Sequence, residues 1–344
     1  MGYMVRVAAR RIVELAEYED PPLAPHEVRL QTLFWGISAG TELAAYRGTH
    51  PQLSKRWDTT QRVFTEERPA LRYPIEGWGY EEVGTVVEAG SEVDQVAKGD
   101  VIWGSWGHRS TSVMTGTAAA GRVLPRDVDP MLGILSHIGA VALSAVLDAD
   151  IHLGEDVAVF GQGVPGLIVT QLACLSGATV IAVDRMAARL ATARTVGASH
   201  TIDATRQRAG ERVKQLTGGR GADVSVEITG SYRALHEAIR ATAYNARVVT
   251  AGFFQGEGTG LALGEEFHHN RIQLVCSQVA GVDPRYAGRW DRYRLQRTVL
   301  RLAGRRQLDL GALVSHVISV EDAASAFAIL DRHQDRALQV VLKF

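Results

Sequence analysis

Residues 157–184 read VAVFGQGVPGLIVTQLACLSGATVIAVD. An apolar run ends in Gly161-Gln-Gly163-Val164-Pro165-Gly166, a helical pattern follows, and a second apolar run closes on Asp184. This order of strand, tight turn, helix, strand and acid is what a dinucleotide site requires. Gly161 permits a sharp turn out of the strand. Gly163 lets the backbone approach a pyrophosphate, and Gly166 lets the helix pack close to the strand. The helix N-terminus offers unpaired N–H groups and a positive dipole end to the phosphates. Asp184 is placed to accept from a ribose 2′-hydroxyl. A buried crossover with chance glycines would account for the apolar runs but not for the ordered glycines and acid.

Outward from this stretch the chain alternates strands and helices. Residues 187–198 and 207–217 read as helices, with SHTID (199–203) as a strand between them. GADVSVEITG, YRALHEAIRAT, ARVVTAGF and NRIQLVCSQ continue as strand, helix, strand and strand. Such alternation implies a parallel sheet wound on both sides. Upstream, short runs such as VRVAAR, IVELAEYE, VRLQTLFWG and TVVEAG are punctuated by glycine and proline, the pattern of a small barrel-like β domain. Residues 131–150 turn helical. The tail carries a helix near 291–304, a strand at LVSHVIS, a helix over Val320–Asp331 and a last strand, ALQVVLKF. It alternates too little for a third domain and is expected to rejoin the first.

The 344 residues suit two domains. Lys and Arg (37) nearly match Asp and Glu (38), so nothing in the balance points to nucleic acid or an anionic membrane. The uncharged run Val157–Val183 is long enough to span a bilayer, but its glycines, proline and glutamines break it into strand, turn and helix. The N-terminal residues carry no apolar signal core. The two cysteines, Cys174 and Cys276, lie in apolar stretches and read as small core residues. They make no disulfide framework, and a cytoplasmic setting is expected.

The segments GTELAAYRG, GYEEVGTVVEAG, KGDVI, GAVALSAV, VFGQGVPG, AVDRMAARLATARTVGA, ADVSVEITG and ARVVTAGF together resemble the medium-chain dehydrogenase/reductase superfamily over nearly the whole length. GISAGTE followed by GYE looks most like its bacteriochlorophyllide-dehydrogenase-type branch. The resemblance implies an α/β protein: a GroES-like β-rich catalytic domain (1–138 and 279–344) and a doubly wound Rossmann domain (139–278). It also implies hydride transfer with a nicotinamide cofactor.

Zinc members of the superfamily carry a cysteine before G-T/S-D, a histidine in G-H-E and a third ligand at a helix start. Matched residue by residue, Ser38 or Ala39 stands at the cysteine, Tyr80 at the histidine and His137 at the third ligand, while Glu81 is kept. No thiolate remains, so no zinc is expected. The four-cysteine structural zinc lobe is also missing from residues 85–125.

Without zinc, a proton donor must manage charge on the substrate oxygen. The alignment offers Tyr80 or His137 as the acid/base partner. Thr41 stands where the family's relay hydroxyl stands, with Ser38 and Glu81 beside the same site; the next relay histidine is replaced by Ala44. Competing readings make His137 a core histidine, Tyr80 a space-filler for the lost metal, and Thr41 a helix cap. The cofactor is expected to contact Gly161, Gly163, Val164, Pro165, Gly166 and Asp184. Thr229-Gly230 and Gly252-Phe253, at strand ends, are expected to contact it through backbone, with Ser277 a weaker candidate. Asp184 favours NAD because its charge repels a 2′-phosphate. Arg185, next to it, leaves NADP open.

The insertion at 49–76 carries Trp57, Arg62, Phe64, Arg68 and Arg72, with Trp78 just beyond. It reads either as a lid over a large or anionic substrate or as an oligomer contact. Trp103, Trp106 and His108 line the cleft or fill the barrel core. The leading expectation is a zinc-independent NAD(P)-dependent oxidoreductase acting on a secondary alcohol or ketone. The alternatives are an enoyl/quinone-type reductase of an activated C=C bond and a non-catalytic nucleotide-binding protein. The partner is a small-molecule substrate, and family analogy adds a homodimer or homotetramer.

Overall fold

A computed structural model describes residues 1–66 and 68–344. The chain divides into two compact units, residues 1–137 with 314–344, and residues 138–313.

The first unit opens with the antiparallel pair β1 (Gly2–Ala9) and β2 (Ile12–Tyr18), then β3 (Glu27–Ile37) and α1 (Thr41–Arg47). A small hairpin follows, β4 (Arg56–Asp58) with β5 (Val63–Thr65), then β6 (Glu82–Ala89), β7 (Val101–Gly104), β8 (Thr111–Thr115) and α2 (Gly116–Ala120). Residues Pro130–Leu135 form a 3-10 turn that runs into α3 (Ser136–Ala149). This stretch could cross a bilayer by length and composition, but most of it is buried in protein, as in a core helix.

The second unit alternates β9 (Asp156–Phe160), α4 (Val164–Leu175), β10 (Thr179–Asp184), α5 (Ala187–Thr195), β11 (His200–Asp203), α6 (Ala209–Leu216), β12 (Ala222–Glu227), α7 (Tyr232–Ala241), β13 (Thr242–Thr250), β14 (Gln273–Cys276) and α8 (Arg292–Gly304). The chain then returns to the first unit as β15 (Val314–Ser319), α9 (Ala323–Arg332) and β16 (Gln339–Lys343).

The second unit's sheet runs β11-β10-β9-β12-β13-β14, every neighbouring pair parallel. That is the doubly wound order, with its switch point between β9 and β12, the crevice where such sheets bind ligands. Val157, Ala158, Val159 and Phe160 are all buried, as expected of a strand covered on both faces. In the first unit β3 is the hub. It pairs with β6 along one edge, and with β8 (through residues 27–31) and then β16 (through residues 34–37) along the other, in the order β15-β16-β3-β6-β7 with β8 off that path. Its core gathers Val5, Val7, Trp35, Ile37, Leu43, Phe327 and Leu342.

Three expectations are corrected. The second unit extends to Leu313, beyond the expected boundary at 278. Helix α8 belongs to it: a side-chain carbon at Gly139 would meet Val299 Cγ1 at 2.5 Å, and Asp309 N–H donates to Gln171 Oε1 at 2.7 Å. Cys276 is exposed because β14 is the sheet's edge strand, and Cys174 is only half-buried. Val320–Asp322 is a 3-10 turn ahead of α9.

Candidate active site and cofactor-binding loop

In the Rossmann unit the glycine loop has the geometry its sequence implied. Gly161 turns with φ +99°, and a side-chain carbon at Gly166 would lie 1.8 Å from the Gly161 carbonyl oxygen. Gly163 caps α4, with Val164 and Pro165 as its first residues. A side-chain carbon at Gly163 would meet no protein atom nearer than Arg189 Nη1 at 3.7 Å, so the loop is open on that side. Asp184, at the end of β10, organises the loop. Its Oδ2 accepts from Gln162 N–H at 2.6 Å, and its Oδ1 from the N–H groups of Arg185 and Met186 at 2.7 and 2.9 Å. Arg185 points to solvent, whereas Arg189, one helical turn on, is the partly buried cation beside Gly163. Burial lowers the Arg189 pKa, opposed by the charge of Asp184. Sequence reading missed Arg189, although its place in the first turn of α5 was visible.

Across the switch point, Glu227 ends β12, fully buried. Its carboxylate accepts from Thr229 N–H at 2.8 Å, from the Thr229 hydroxyl and from Gly230 N–H at 3.2 Å. Its carbonyl accepts from Gly252 N–H at 3.1 Å. Thr229, Gly230 and Gly252 are thus tied to one buried acid, whose pKa burial raises to about 7 against those hydrogen bonds. Phe253 is largely exposed at the end of this loop. Ser277 N–H donates to the Thr250 carbonyl at 3.0 Å, and its side chain bonds the buried Asp148.

The β-rich unit brings together four of the five aligned catalytic candidates. Tyr80 and Ser38 hydroxyls lie 2.5 Å apart, and the Tyr80 hydroxyl donates to Thr41 Oγ1 at 3.3 Å. The His137 ring packs on the Tyr80 ring with centroids 4.4 Å apart. Thr41 is no helix cap: Gly40 caps α1 and Thr41 is its first residue. Burial, then the charge of Glu81, raises the Tyr80 pKa well above 10, so Tyr80 is a phenol at neutral pH. The fifth candidate, Glu81, turns away. Its Oε2 accepts from Gln339 Nε2 at 3.0 Å and would crowd a side-chain carbon on Gly36, and burial pushes its pKa well up.

Beneath this cluster lie further buried acids. Glu42 accepts from Ser38 N–H at 3.0 Å through Oε1 and contacts His108 Nε2 at 2.5 Å through Oε2. Glu82 accepts the N–H groups of Trp106, Gly107 and His108 at 2.8, 3.1 and 3.1 Å. Its pKa is pushed up to about 7, chiefly by burial. Burial opposes the charge on His108, but Glu42 and Glu82 together hold its pKa above the ordinary value. Trp103 is core, and Trp106 donates from its indole to Thr32 Oγ1 at 2.9 Å. The insertion forms the β4–β5 hairpin, on which Trp57 and Phe64 pack against each other, both largely exposed. Trp78 packs edge-on against His50.

A parallel sheet in doubly wound order with a glycine loop at its switch point, joined in one chain to a β-rich unit holding a polar cluster, defines a Rossmann-type oxidoreductase. Comparisons place it further. A family profile described as zinc-binding dehydrogenase matches residues 165–291. The chain is 30% identical to D-guloside 3-dehydrogenase of Escherichia coli K12, over 98% of both chains. Among solved structures, galactitol-1-phosphate dehydrogenase from Escherichia coli superposes with TM-score 0.79 at 22% identity, covering 99% of this chain and 100% of that one. A Sinorhizobium meliloti chain described as a zinc-binding dehydrogenase, solved with NADP bound, gives 0.76 at 20% identity over 100% and 99%. The chain belongs to the medium-chain zinc-type dehydrogenase/reductase superfamily and is an NAD(P)-dependent dehydrogenase.

The two groups that this family implies fare differently here. The open Gly163 loop, the α4 N-terminus and the Asp184 carboxylate fit a dinucleotide. Catalytic zinc calls for three ligands drawn from thiolate, imidazole and carboxylate. At the residues that the sequence resemblance matches to the family's zinc site, this chain presents two hydroxyls bonded to each other, one imidazole and a carboxylate turned to Gln339. That donor set does not fit the metal. Among the described residues, the grouping of three metal-type side chains is elsewhere, at His236, Glu265 and Glu266, where Arg240 holds Glu266 at 3.1 Å.

Proposed function

We propose that this chain interconverts a secondary alcohol and its ketone with NAD(P), without zinc, and that Tyr80 is the proton donor to the substrate oxygen. The observation that carries this reading is the Tyr80 hydroxyl held between Ser38 Oγ (2.5 Å) and Thr41 Oγ1 (3.3 Å), residues that the sequence resemblance matches to the family's site. The bound nicotinamide supplies or accepts the hydride. As charge develops on a carbonyl oxygen, a phenol there strengthens its hydrogen bond and gives up its proton, because an alkoxide is the stronger base. Ser38 and Thr41 fix the direction of that hydroxyl and carry a replacement proton. The raised pKa of Tyr80 keeps it protonated at neutral pH, the form able to donate.

The likeness of GISAGTE and GYE to the bacteriochlorophyllide-dehydrogenase-type branch supports the zinc-free reading. The whole-length match to D-guloside 3-dehydrogenase supports a carbinol on a polyhydroxylated ring or chain as substrate. Asp184 supports NAD as the preferred cofactor. The exposed edge strand β14 supports pairing of two copies, which light scattering tests.

The test is product analysis with deuterated nicotinamide over a panel of keto-glycosides and keto-polyols, alongside elemental mass spectrometry of protein purified without chelator. Deuterium on a carbinol carbon and near-zero zinc are expected. Deuterium β to a carbonyl would establish the C=C reductase instead. One zinc per chain would remove the zinc-free mechanism.

A further inference from the structure

We propose that His108 is a positioning residue for Tyr80, acting through Glu42 and through the backbone at Gly79; this rests on Tyr80 being the proton donor. His108 lies in the loop between β7 and β8, distant in sequence from both Ser38 and Tyr80. Its side chain is 2% exposed and those of Glu42 and Glu82 are 0%, so this is a sealed charge cluster and not a solvated ion pair.

Two routes lead from its ring to the Tyr80 hydroxyl. By the first, Nε2 holds Glu42 Oε2 at 2.5 Å, Glu42 Oε1 takes the Ser38 N–H at 3.0 Å, and Ser38 Oγ meets the Tyr80 hydroxyl at 2.5 Å. By the second, the ring lies directly under Gly79, the residue before Tyr80. A side-chain carbon there would sit 2.7 Å from Nε2, and Gly79 has φ +126°, so the chain admits the ring only because residue 79 is glycine. One imidazole therefore fixes both partners of the Ser38–Tyr80 contact.

His108 is itself held through its backbone and its ring face, while Nδ1 makes no hydrogen bond and lies 3.8 Å from Glu82 Oε1. Its N–H donates to Glu82 Oε1 at 3.1 Å, its carbonyl accepts from Val5 N–H at 3.0 Å, and its ring packs on Trp35 with centroids 5.3 Å apart. Its φ of +52° is a conformation that side-chain-bearing residues rarely adopt. A buried histidine whose only task was to fill the core would not require two carboxylates, a left-handed backbone and a glycine opposite. Removing the charge pair loosens the anchor on the Ser38 backbone N–H and so the placement of its hydroxyl, and a hydroxyl misplaced by about 1 Å lowers turnover by about a hundredfold.

The experiment is a cycle of His108→Phe and Tyr80→Phe, with His108→Gln as the conservative variant, read as kcat and as cofactor Kd. His108→Phe should lower kcat about tenfold to a hundredfold with cofactor Kd within twofold. His108→Gln, which keeps a donor toward Glu42, should recover most of the loss. In the Tyr80→Phe background His108→Phe should change kcat little, because the group it positions is gone. The proposal is overturned if His108→Phe leaves kcat intact, or lowers it by the same factor in both backgrounds. Should His108→Phe not fold, the double variant Glu42→Gln/His108→Phe removes both charges and is read the same way. If Tyr80→Phe alone keeps full turnover, the proton-donor reading falls, whatever His108 does.

Discussion

The glycine loop of the Rossmann unit and the hydroxyl cluster of the β-rich unit are built on opposite plans. The loop is local: Gly161 to Asp184 is one strand-turn-helix-strand unit, and Asp184 reaches back to Gln162 within it. The cluster is assembled from afar. Ser38 and Tyr80 are 42 residues apart, Glu42 and His108 are 66, and Glu81 and Gln339 are 258. The loop depends on missing side chains, which admit backbone and ligand. The cluster depends on buried charged ones, which hold a hydroxyl in place at a cost in desolvation. A local loop of the first kind is robust to its surroundings, while an assembled cluster of the second kind is sensitive to each member.

Three substitutions test that division, in order of expected size. Tyr80→Phe should reduce turnover about 10²- to 10⁴-fold with cofactor affinity unchanged, measured by steady-state kinetics and by nicotinamide fluorescence titration. A parallel loss of cofactor binding would mean the two regions do not divide the work. Gly166→Ala, which puts a carbon 1.8 Å from the Gly161 carbonyl, should cost about 1–3 kcal/mol or more. It should also abolish tight cofactor binding; a normal melting temperature and normal affinity would show that the loop tolerates what its geometry forbids. Asp184→Ser should raise the NADP-to-NAD preference about tenfold, on the order of 1.4 kcal/mol, with Arg189 left facing the 2′ position. Kinetics with both cofactors would show it, and an unchanged ratio would remove Asp184 from the discrimination.

The smallest effect concerns pH and compares one buried acid from each unit. Glu82 and Glu227 both have pKa values raised to about 7 from an ordinary 4.5, mainly by burial. Between pH 4.5 and 7 the folded protein keeps protons that the unfolded chain has released, so stability falls as pH rises through that window. His108 acts with the same sign, its raised pKa giving stability that is lost as pH rises. Glu82→Gln and Glu227→Gln should each flatten the fall between urea midpoints at pH 5 and 7.5. An unchanged slope for either would mean that its burial penalty is relieved in solution.

Much of the first region was legible in the amino-acid order. Glycine spacing, apolar runs and the closing acid each follow from backbone sterics within about 30 residues, and the parallel sheet follows from the alternation. What misled was burial at the margins. Cys276 reads as core from its apolar neighbours, yet β14 is an edge strand. Helix 292–304 reads as part of the returning tail, yet Val299 packs at Gly139. In the second region the residues matched to the family's site, Tyr80, Ser38, Thr41 and His137, do meet in space, but Glu81 faces Gln339, and the buried Glu42–His108 pair beneath them was not foreseen.

The sequence alone determined the glycine loop and the doubly wound sheet, because each is a matter of residue type at short spacing. Only the tertiary structure decided which buried groups meet. The pairing of β3 with β6 carries Ser38 to Tyr80, and the loop after β7 carries His108 beneath Gly79 to Glu42. Those contacts depend on strand register across the sheet, which shifts at two points along the β3–β6 pair, and no local pattern in the chain encodes such a shift.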